Sequence, residues 1–502
     1  MPSERRLHPL SIFFNIGKRL TAMLLPLVVV VAGRGSAEDW WSVYALGLLL
    51  PYAVFVVVEY LSFRYRYDAG ELVIREGVIF RNQRHVPYDR IQNIDAVQNV
   101  LHRIAGVVEV KIQTAGGKEP EATLSVLSRA DLEEMRRRVF GAAHQREASG
   151  GEASSTPVPA AHRTLLRLSP RELVLYALIE NRGFVVIAAA LGLLSEFNYT
   201  ANFVERIAGE EAGRGFFRRT ARAIFVEGGA SAGMILYGLA ALIAFLLVSR
   251  LFSILWAQVR LQGYSVVQVG EDLRAEYGLF TRVTATVPIR RIQAVTIRDT
   301  PLHRLLGRAA ISVATAGGGA SEHDKAAQHR EWIAPIIRRD DIPGFVAALL
   351  PGTDPSGFDW QRVHPRALRR ALTRGLIGST IFTAIAALAL GTNGLWLFPL
   401  LAIGSSIRAR RLVGYLAWTI TPDVVAARHG AFVRVLSIAP LARIQAVARL
   451  ESPFDRRTMM AHVRADTAGG GSRIDVPYLP VETASLLYGQ LAAAAAHTEF
   501  RW

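Results

Sequence analysis

Three Arg-Ile-Gln triplets carry the side chains of this chain that are best suited to binding chemistry. They supply six candidate site residues: Arg90, Gln92, Arg291, Gln293, Arg443 and Gln445. A guanidinium group can donate two parallel hydrogen bonds to a phosphate, so one hypothesis is that each triplet contacts an anionic lipid headgroup. The alternative is that each arginine makes a salt bridge or a backbone hydrogen bond that fixes the strand after the preceding proline. We favour this structural interpretation for the arginines and for the glutamines.

The sequence offers little for catalysis. Its glycine-rich segments lack the Gly-Lys-Ser/Thr of a phosphate-binding loop, and no His-Glu-x-x-His is present. The absence of cysteine excludes disulfides and thiolate chemistry. His102 and His303 recur at one position, but a metal site needs further ligands and none recurs beside them, which favours a packing or surface role. Because no acid–base pair is evident either, we expect a protein that is not an enzyme and uses no cofactor or metal.

The triplets lie inside a segment that the chain repeats three times with the same internal spacing. Each copy opens at a glycine, continues through a proline to the triplet, and reaches a Thr-Ala-Gly-Gly turn. These landmarks are Gly77, Pro87 and Thr114, then Gly278, Pro288 and Thr315, and finally Gly430, Pro440 and Thr467. The copies are about 150 to 200 residues apart, which is the spacing of domains and not of a solenoid.

Within each copy the pattern predicts antiparallel strands followed by one helix. Val108, Val110 and Ile112 alternate with polar residues, so one face of that strand is expected to be buried. In the first copy Ser128 and Asp131 form a capping-box pattern, which marks a helix N-terminus. The terminal helix is predicted to follow Ser128, to span residues 340–350 in the second copy, and to follow Pro480 in the third.

Apolar segments of membrane-spanning length precede each copy. Crossing a bilayer takes about 20 apolar residues. Two spans are predicted before each copy, at residues 17–32 and 41–61, 183–194 and 232–255, and 376–390 and 395–407. A buried core helix is the alternative for the third and fifth. Basic residues such as Arg5, Lys18, Arg64 and Arg408 place the N-terminus and all three repeated domains in the cytoplasm. The net charge of +16 also suits an anionic membrane surface.

The combined pattern, Gly…Pro-x-x-Arg-Ile-Gln…Thr-Ala-Gly-Gly behind paired apolar segments, resembles the bacterial pleckstrin-homology-like (PH-like) membrane proteins of the second, YdbT-like type. The resemblance covers nearly the whole chain. It implies three bent antiparallel sheets, each capped by a C-terminal helix. It also implies a protein of the bacterial inner membrane, with a role in cell-envelope stress or antimicrobial-peptide resistance. The third copy departs most, because Asp455 and Met459 replace a histidine and a glycine of the other copies. We expect that copy to have lost any binding that the others retain.

The predicted fold class is membrane α-helical hairpins plus α+β cytoplasmic domains, in three repeats of two transmembrane helices and a PH-like antiparallel sheet capped by a C-terminal helix. A short leading helix and a hairpin are predicted at residues 1–61, 163–260 and 351–416. The PH-like domains are predicted at residues 62–142, 261–350 and 417–502. A flexible linker at residues 143–162 is expected to let the first repeat move relative to the second.

The predicted function is a scaffold that binds membrane lipids and a membrane or cytoplasmic protein partner. Nucleic acid is not expected as a partner, because the basic residues are spread among the membrane flanks. The alternative is a component of a transport or export system whose hairpins form a pathway. Such carriers usually hold ionisable groups inside their spans, and these segments have few. The sequence leaves the oligomeric state open.

Overall fold

The computed structural model describes residues 5–7, 9, 11, 57–58, 60–68, 70–77, 81–114, 122–148, 162–180, 232–315, 332–468 and 473–497. The chain forms two compact units. The larger comprises Met1–Leu166, Ser265–Glu276 and Thr281–Trp502, and the smaller comprises Arg167–Tyr264 and Tyr277–Phe280. The larger unit contains the sheets that carry the Arg-Ile-Gln triplets.

The first repeat folds as strands followed by a helix. Its described elements are β1 (Arg64–Tyr67), β2 (Glu71–Glu76), β3 (Asn82–Pro87), β4 (Ile91–Gln98), α1 (Val100–Ile104), β5 (Val107–Thr114), β6 (Ala122–Ser128) and α2 (Arg129–Ala148). The predicted alternation in β5 is confirmed, since Val108, Val110 and Ile112 are buried. The predicted cap is confirmed as well: the backbone N–H of Asp131 donates to Ser128 Oγ at 3.1 Å.

In the second repeat, a strand and two helices are described before the same series of elements. They are β7 (His162–Arg167), α3 (Pro170–Ile179), α4 (Ala232–Leu261), β8 (Ser265–Val269), β9 (Asp272–Tyr277), β10 (Arg282–Pro288), β11 (Ile292–Asp299), α5 (Pro301–Leu305), β12 (Arg308–Thr315), β13 (Trp332–Arg338) and α6 (Ile342–Leu349). Within the smaller unit α3 packs against α4, where Ser253 Oγ donates to the carbonyl groups of Ala177 and Glu180, each at 3.2 Å. A helix was predicted at residues 340–350, and the observed helix α6 lies within that range but is shorter.

The third repeat follows the same order. Its elements are β14 (Gln361–Arg362), α7 (Ala367–Leu390), α8 (Leu397–Tyr415), β15 (Ala417–Ile420), β16 (Val424–His429), β17 (Arg434–Pro440), β18 (Ile444–Leu450), α9 (Pro453–Arg457), β19 (Met460–Thr467), β20 (Arg473–Pro480) and α10 (Val481–His497). The last helix follows Pro480, as predicted. The glycines of the Thr-Ala-Gly-Gly turns lie outside the described residues in every copy.

Each repeat divides its strands between two antiparallel sheets, and neighbouring repeats share a sheet. The first sheet has the order β1-β2-β3 and the last has the order β18-β19-β20. Between them lie two seven-stranded sheets, β6-β5-β4-β10-β9-β8-β7 and β13-β12-β11-β17-β16-β15-β14. The second half of one repeat therefore continues directly into the first half of the next.

This sharing corrects the expectation that a flexible linker lets the first repeat move relative to the second. Helix α2 continues to Ala148, inside the segment predicted as linker, and β7 begins at His162. Residues 149–161 lie outside the described residues. Because β4 pairs with β10 through backbone hydrogen bonds, a continuous sheet joins the first two repeats independently of the linker.

Hydrophobic cores form where the terminal helix of a repeat packs on its strands. In the first repeat Leu132, Met135 and Val139 of α2 lie in the same buried cluster as strand residues such as Leu72 and Ile94. In the third repeat the corresponding cluster includes Leu487 and Leu491 of α10. It also includes Ala294, which belongs to the second repeat. Apolar packing as well as backbone pairing therefore crosses the boundary between repeats.

Two helices of the described chain are long and apolar enough to cross a membrane, with candidate spans Leu242–Leu261 and Ala367–Leu388. They correspond to the predicted fourth and fifth spans. Helix α8 covers most of the predicted sixth span and packs against α7, but it does not meet the same criterion. Predicted spans 17–32 and 183–194, and most of 41–61, lie outside the described residues.

Candidate functional site

Each Arg-Ile-Gln triplet lies at the same structural position. A proline ends the preceding strand, a 3-10 turn follows, and the arginine is its last residue; the turns are Tyr88–Arg90, Ile289–Arg291 and Leu441–Arg443. The isoleucine then begins the next strand and is almost fully buried in all three copies, with at most 2% of its surface exposed. The proline fixes the extended backbone before the turn and the isoleucine anchors it in the core. The arginine is thereby held at the boundary between the two sheets of its repeat.

Two of the three arginines reach across to the preceding repeat. An Nη atom of Arg291 donates to the backbone carbonyl of Ile91, and an Nη atom of Arg443 donates to the carbonyl of Arg290. Both acceptors belong to the equivalent turn-to-strand region of the repeat before. These contacts agree in kind with the expected backbone hydrogen bond. They differ from expectation in their target, because each one links two repeats and does not fix its own strand.

Arg90 belongs to the first of the three repeats. The residue is exposed, whereas Arg291 and Arg443 are half-buried. Among the described residues, none accepts a hydrogen bond from its guanidinium group. The three arginines are thus equivalent in sequence and fold position, but only the second and third occupy a junction between repeats.

The two junctions have the same strand register. In the first, Arg282 at the start of β10 lies opposite Gln98, and Val283 lies opposite Val97. In the second, the strand pairing places Arg434 opposite Asp299 and Val435 opposite Arg298. Counting from the landmark glycines, Arg434 occupies the position of Arg282, and Asp299 the position of Gln98. The identical spacing of the sequence repeats is therefore reproduced as an identical pairing of strands.

Comparison with known proteins agrees with this repeated architecture. A family model described as "Bacterial PH domain" matches residues 12–143, 213–341 and 363–495. The chain belongs to the bacterial PH domain family. The UPF0699 transmembrane protein YdbT of Bacillus subtilis (strain 168) is 25% identical over 482 residues, which cover 91% of each chain. No solved structure matches the chain significantly. With the two span-length helices, the transmembrane relative identifies the chain as a membrane protein that carries three PH domain repeats.

The glutamines of the triplets do not share one environment. Gln293 is buried, with 4% of its surface exposed, and its Nε2 donates to the carbonyl of Arg291 at 3.3 Å. Gln445 is exposed on β18. Gln92 lies on β4, and its side chain is outside the part of the structure that is described. The six predicted residues therefore do not converge on a single pocket, and their role in ligand contact remains a prediction.

A cavity lies at the junction of the second and third PH domains. It has a volume of about 600 Å³ and is lined by Gln268, Gly270, Glu271, Ile289, Arg290, Ile292, Ala348, Leu349, Leu350, Pro351, Pro440, Ala442 and Arg443. Most of its wall is apolar, whereas Arg290 and Arg443 bring two cations to it and Glu271 brings one carboxylate. Apolar walls with a few polar groups are typical of ligand sites. Sequence analysis missed this cavity because its wall comes from segments far apart in the chain.

The recurring histidines lie at the third position of two short helices whose N-caps are Asn99 and Thr300. The backbone N–H of His102 donates to Asn99 Oδ1 at 2.8 Å, and that of His303 donates to Thr300 Oγ1 at 3.3 Å, each at the start of a five-residue helix. In the third PH domain Ser452 and Asp455 form the same capping box. Asp455 is thus a replacement with the same structural role. The spacing of Asn, Thr or Ser three residues before each of these positions was the signal in the sequence.

No group of three or more His, Asp or Glu residues suited to a metal ion occurs in the described part of the chain.

The backbone of Met459 is strained relative to the glycines at the equivalent positions of the other two repeats. It has a φ of 54°, in the left-handed region that Gly106 and Gly307 occupy with φ values of 68° and 63°. Left-handed backbone favours glycine because a side chain is strained there.

A buried arginine that the sequence did not single out lies beside the first junction. Arg136 of α2 is only 6% exposed, and its Nη2 donates to the carbonyl of Ile94 at 3.3 Å. Burial lowers the pKa of Arg136, and the nearby cation of Arg274, from the second PH domain, lowers it further. Glu133 opposes this effect, since its carboxylate lies 3.3 Å from Arg136 and 4.0 Å from Arg274. One carboxylate therefore serves two arginines that come from adjacent repeats.

Proposed function

We propose that this chain is a multi-pass inner-membrane scaffold that holds three PH domains at the cytoplasmic face as one connected array. The observation that carries the proposal is the sharing of sheets between successive repeats. A domain that pairs strands with its neighbour cannot rotate independently, because rotation would break the backbone hydrogen bonds of the shared sheet. The array would hold its binding surfaces at fixed spacing, so several weak contacts could act together at a membrane surface.

The proposed architecture includes one pair of membrane helices before each PH domain. The third repeat supports it, because α7 and α8 pack closely through small residues. A Cβ atom on Gly375 would lie 3.1 Å from Ser405 Cβ, and Ser379 Oγ donates to Ser405 Oγ at 3.3 Å. Small residues let membrane helices approach each other in this way. Such packing also leaves little room for a polar path between these two helices, which weighs against the rival transport hypothesis.

The proposed orientation places the PH domains in the cytoplasm. Arg408, Arg410 and Arg411 lie near the end of α8, directly before the first strand of the third PH domain. Positive residues next to a membrane span favour the cytoplasmic side. The guanidinium of Arg411 also lies over the ring of Phe432, with 5.4 Å from its carbon to the ring centroid. This basic segment would lie close to anionic headgroups.

The ligand we propose is an anionic phospholipid headgroup, bound at the cavity between the second and third PH domains. Arg290 and Arg443 supply cations, and a phosphate group is the natural partner for a guanidinium. In this proposal the chain acts by binding and is not an enzyme. The role in cell-envelope stress that the resemblance implies stays a prediction.

The test uses the full chain in detergent, because the shared sheets make an excised domain a poor substitute. Native mass spectrometry would compare adducts of phosphatidylglycerol and phosphatidylcholine in the wild type and in Arg290→Ala. A matched control is Arg338→Ala, which removes an arginine that does not line the cavity and whose side chain is 59% exposed. We expect preferential binding of the anionic lipid, weakened by salt and by Arg290→Ala but not by Arg338→Ala.

Equal binding of both lipids, or equal effects of the two substitutions, would refute the lipid site. The remaining possibility would then be a protein partner, to be sought by cross-linking in the native membrane.

The scaffold itself has a separate test. Hydrogen exchange of the amides in β4, β10, β11 and β17 should show protection in the full chain comparable to that of strands inside a single repeat. Rapid exchange at these four strands alone would contradict a connected array.

A further inference from the structure

The two ends of the array expose the same pair of strand edges that join its repeats. At each internal junction, the fourth strand of one PH domain pairs with the third strand of the next, as β4 with β10 and β11 with β17. Among the described strands, β3 at the front and β18 at the rear pair on one side only. The rear edge is the equivalent of β4 and β11. The front edge is the equivalent of β10 and β17.

The rear edge shows which residues a neighbouring strand would cover. In β11, Gln293 and Ala294 are 4% and 2% exposed. Their equivalents in β18, Gln445 and Ala446, are both exposed. Leu450, near the end of the same strand, keeps 42% of its surface exposed. The same strand of the same fold is thus buried in β11, which pairs with the next repeat, and open in β18, which lies at the edge of its described sheet.

The front edge, β3, pairs only with β2 among the described strands, and several of its side chains already have partners. Asn82, Gln83, Arg84 and His85 are exposed on β3. Two of them already pair with β2, since Arg84 Nη2 lies 3.3 Å from Glu76 Oε1 and His85 Nδ1 lies 2.8 Å from Glu71 Oε1. Charged edge strands resist indiscriminate pairing. An edge of this kind selects a partner whose strand matches in register and charge.

We propose that the front edge of one chain docks on the rear edge of a second copy, so that β3 continues the sheet β18-β19-β20 in the register of the internal junctions. That register places Arg81 of one copy opposite Glu451 of the other, where Arg434 lies opposite Asp299 inside the chain. It also places Arg84 opposite Ala448. This inference is argued from the strand edges and not from the proposed lipid site, although the turn at residues 441–444 also contributes Ala442 and Arg443 to that cavity.

Two charged residues support a second copy as the occupant. The position of Arg81 is arginine in all three repeats, at Arg81, Arg282 and Arg434. Arg90 is the exposed member of the triplet set, and docking would bring it to the turn at residues 441–444 of the other copy. There it would reach a backbone carbonyl as Arg291 and Arg443 do. Because the contact is head-to-tail, it generates a ring if its rotation closes and an open row if it does not.

The chain lends itself to a disulfide test because it contains no cysteine. One full-length chain would carry Arg84→Cys, a second would carry Ala448→Cys, and the two would be reconstituted together in lipid and oxidised. Opposed residues in antiparallel strands have Cα atoms about 4.5–5.5 Å apart. A disulfide needs about 4.4–6.8 Å. We expect a cross-linked dimer from the mixture and little from either variant alone.

Two matched controls fix the interpretation. Thr296→Cys with Ser437→Cys in one chain places cysteines at the equivalent opposed positions of an internal junction, and it should cross-link within the monomer. Gln490→Cys, at an exposed position of α10, measures random collision with Arg84→Cys. If the Arg84–Ala448 yield does not exceed that collision level while the internal pair cross-links, the proposal is overturned. Dimers held only by membrane helices would give that same negative result.

Charge reversal tests the register itself. Arg81→Glu should lower the cross-linking yield about tenfold, corresponding to about 1.4 kcal/mol. Pairing it with a Glu451→Arg partner chain should restore the yield, because the opposed charges are exchanged. Arg90→Ala should also lower it. A dimer that is unaffected by Arg81→Glu would refute the proposed register.

Discussion

Replacing Arg443 by alanine tests whether the arginine of the triplet joins the repeats or awaits a ligand. Its guanidinium donates to the carbonyl of Arg290 in the preceding repeat. A hydrogen bond from a charged donor contributes about 1.5–3 kcal/mol. Because Arg443 is half-buried, we expect a loss of about 1–2 kcal/mol in the free energy of unfolding after allowing for solvent screening. At about 2–4 °C per kcal/mol for a unit of this size, the melting temperature should fall by about 2–8 °C.

The assay is thermal unfolding of the full chain in detergent, followed by the fluorescence of its eight tryptophans. Arg291→Ala should behave like Arg443→Ala, because it also donates to the preceding repeat. Arg90→Ala is the matched control at the same position of the fold, and it should leave the melting temperature within about 1 °C at protein concentrations too low for association. If all three substitutions have equal effects, or if Arg443→Ala has none, the junction role is refuted.

Three further predictions concern single positions. Met459→Gly should stabilise the chain by about 1 kcal/mol in thermal unfolding, because it relieves a left-handed φ of 54°, and Gly307→Met should destabilise it by a similar amount. Asp475→Asn should destabilise the chain by about 1 kcal/mol at pH 7. The hydrogen bond from His462 lowers the pKa of Asp475, so this stabilisation is complete above the unfolded pKa of about 4 and is lost as the pH falls through the folded value. The difference between variant and wild type should therefore narrow below about pH 4 in denaturation series. Gly394→Ala should disrupt the turn after α7, since a Cβ atom there would lie 2.6 Å from the backbone of Ala386, and far-ultraviolet circular dichroism would report reduced helix.

The sequence was sufficient to predict the repeats and the internal order of each one. Spacing alone identified three equivalent segments, and the period-two pattern around Val110 predicted a half-buried strand. The Ser128 pattern predicted a helix start that the structure confirms. These features were accessible because each depends on residues that are close together in the chain.

The shared sheets could not be predicted in the same way. Pairing between β11 and β17 uses backbone hydrogen bonds, which every residue except proline can make, so the sequence of an edge strand does not name its partner. The candidate-site hypothesis failed to anticipate the target of Arg443 for the same reason. One signal was present, because arginine recurs at the equivalent positions 81, 282 and 434. At the internal junctions, Arg282 lies opposite Gln98 and Arg434 lies opposite Asp299. It became interpretable only once the register was known.

Shared sheets change what an isolated PH domain of this chain can report. Cutting out the second repeat, at residues 261–350, would strip β10 of its partner β4 and β11 of its partner β17. The fragment would expose two strand edges that are paired in the intact chain, and exposed edges promote association. It would also remove Arg443 and Pro440 from the wall of the cavity. Failure of such a fragment to bind lipid would therefore say little about the intact array. The informative variants are those that keep the full chain and alter one junction, one cavity arginine or one free edge at a time.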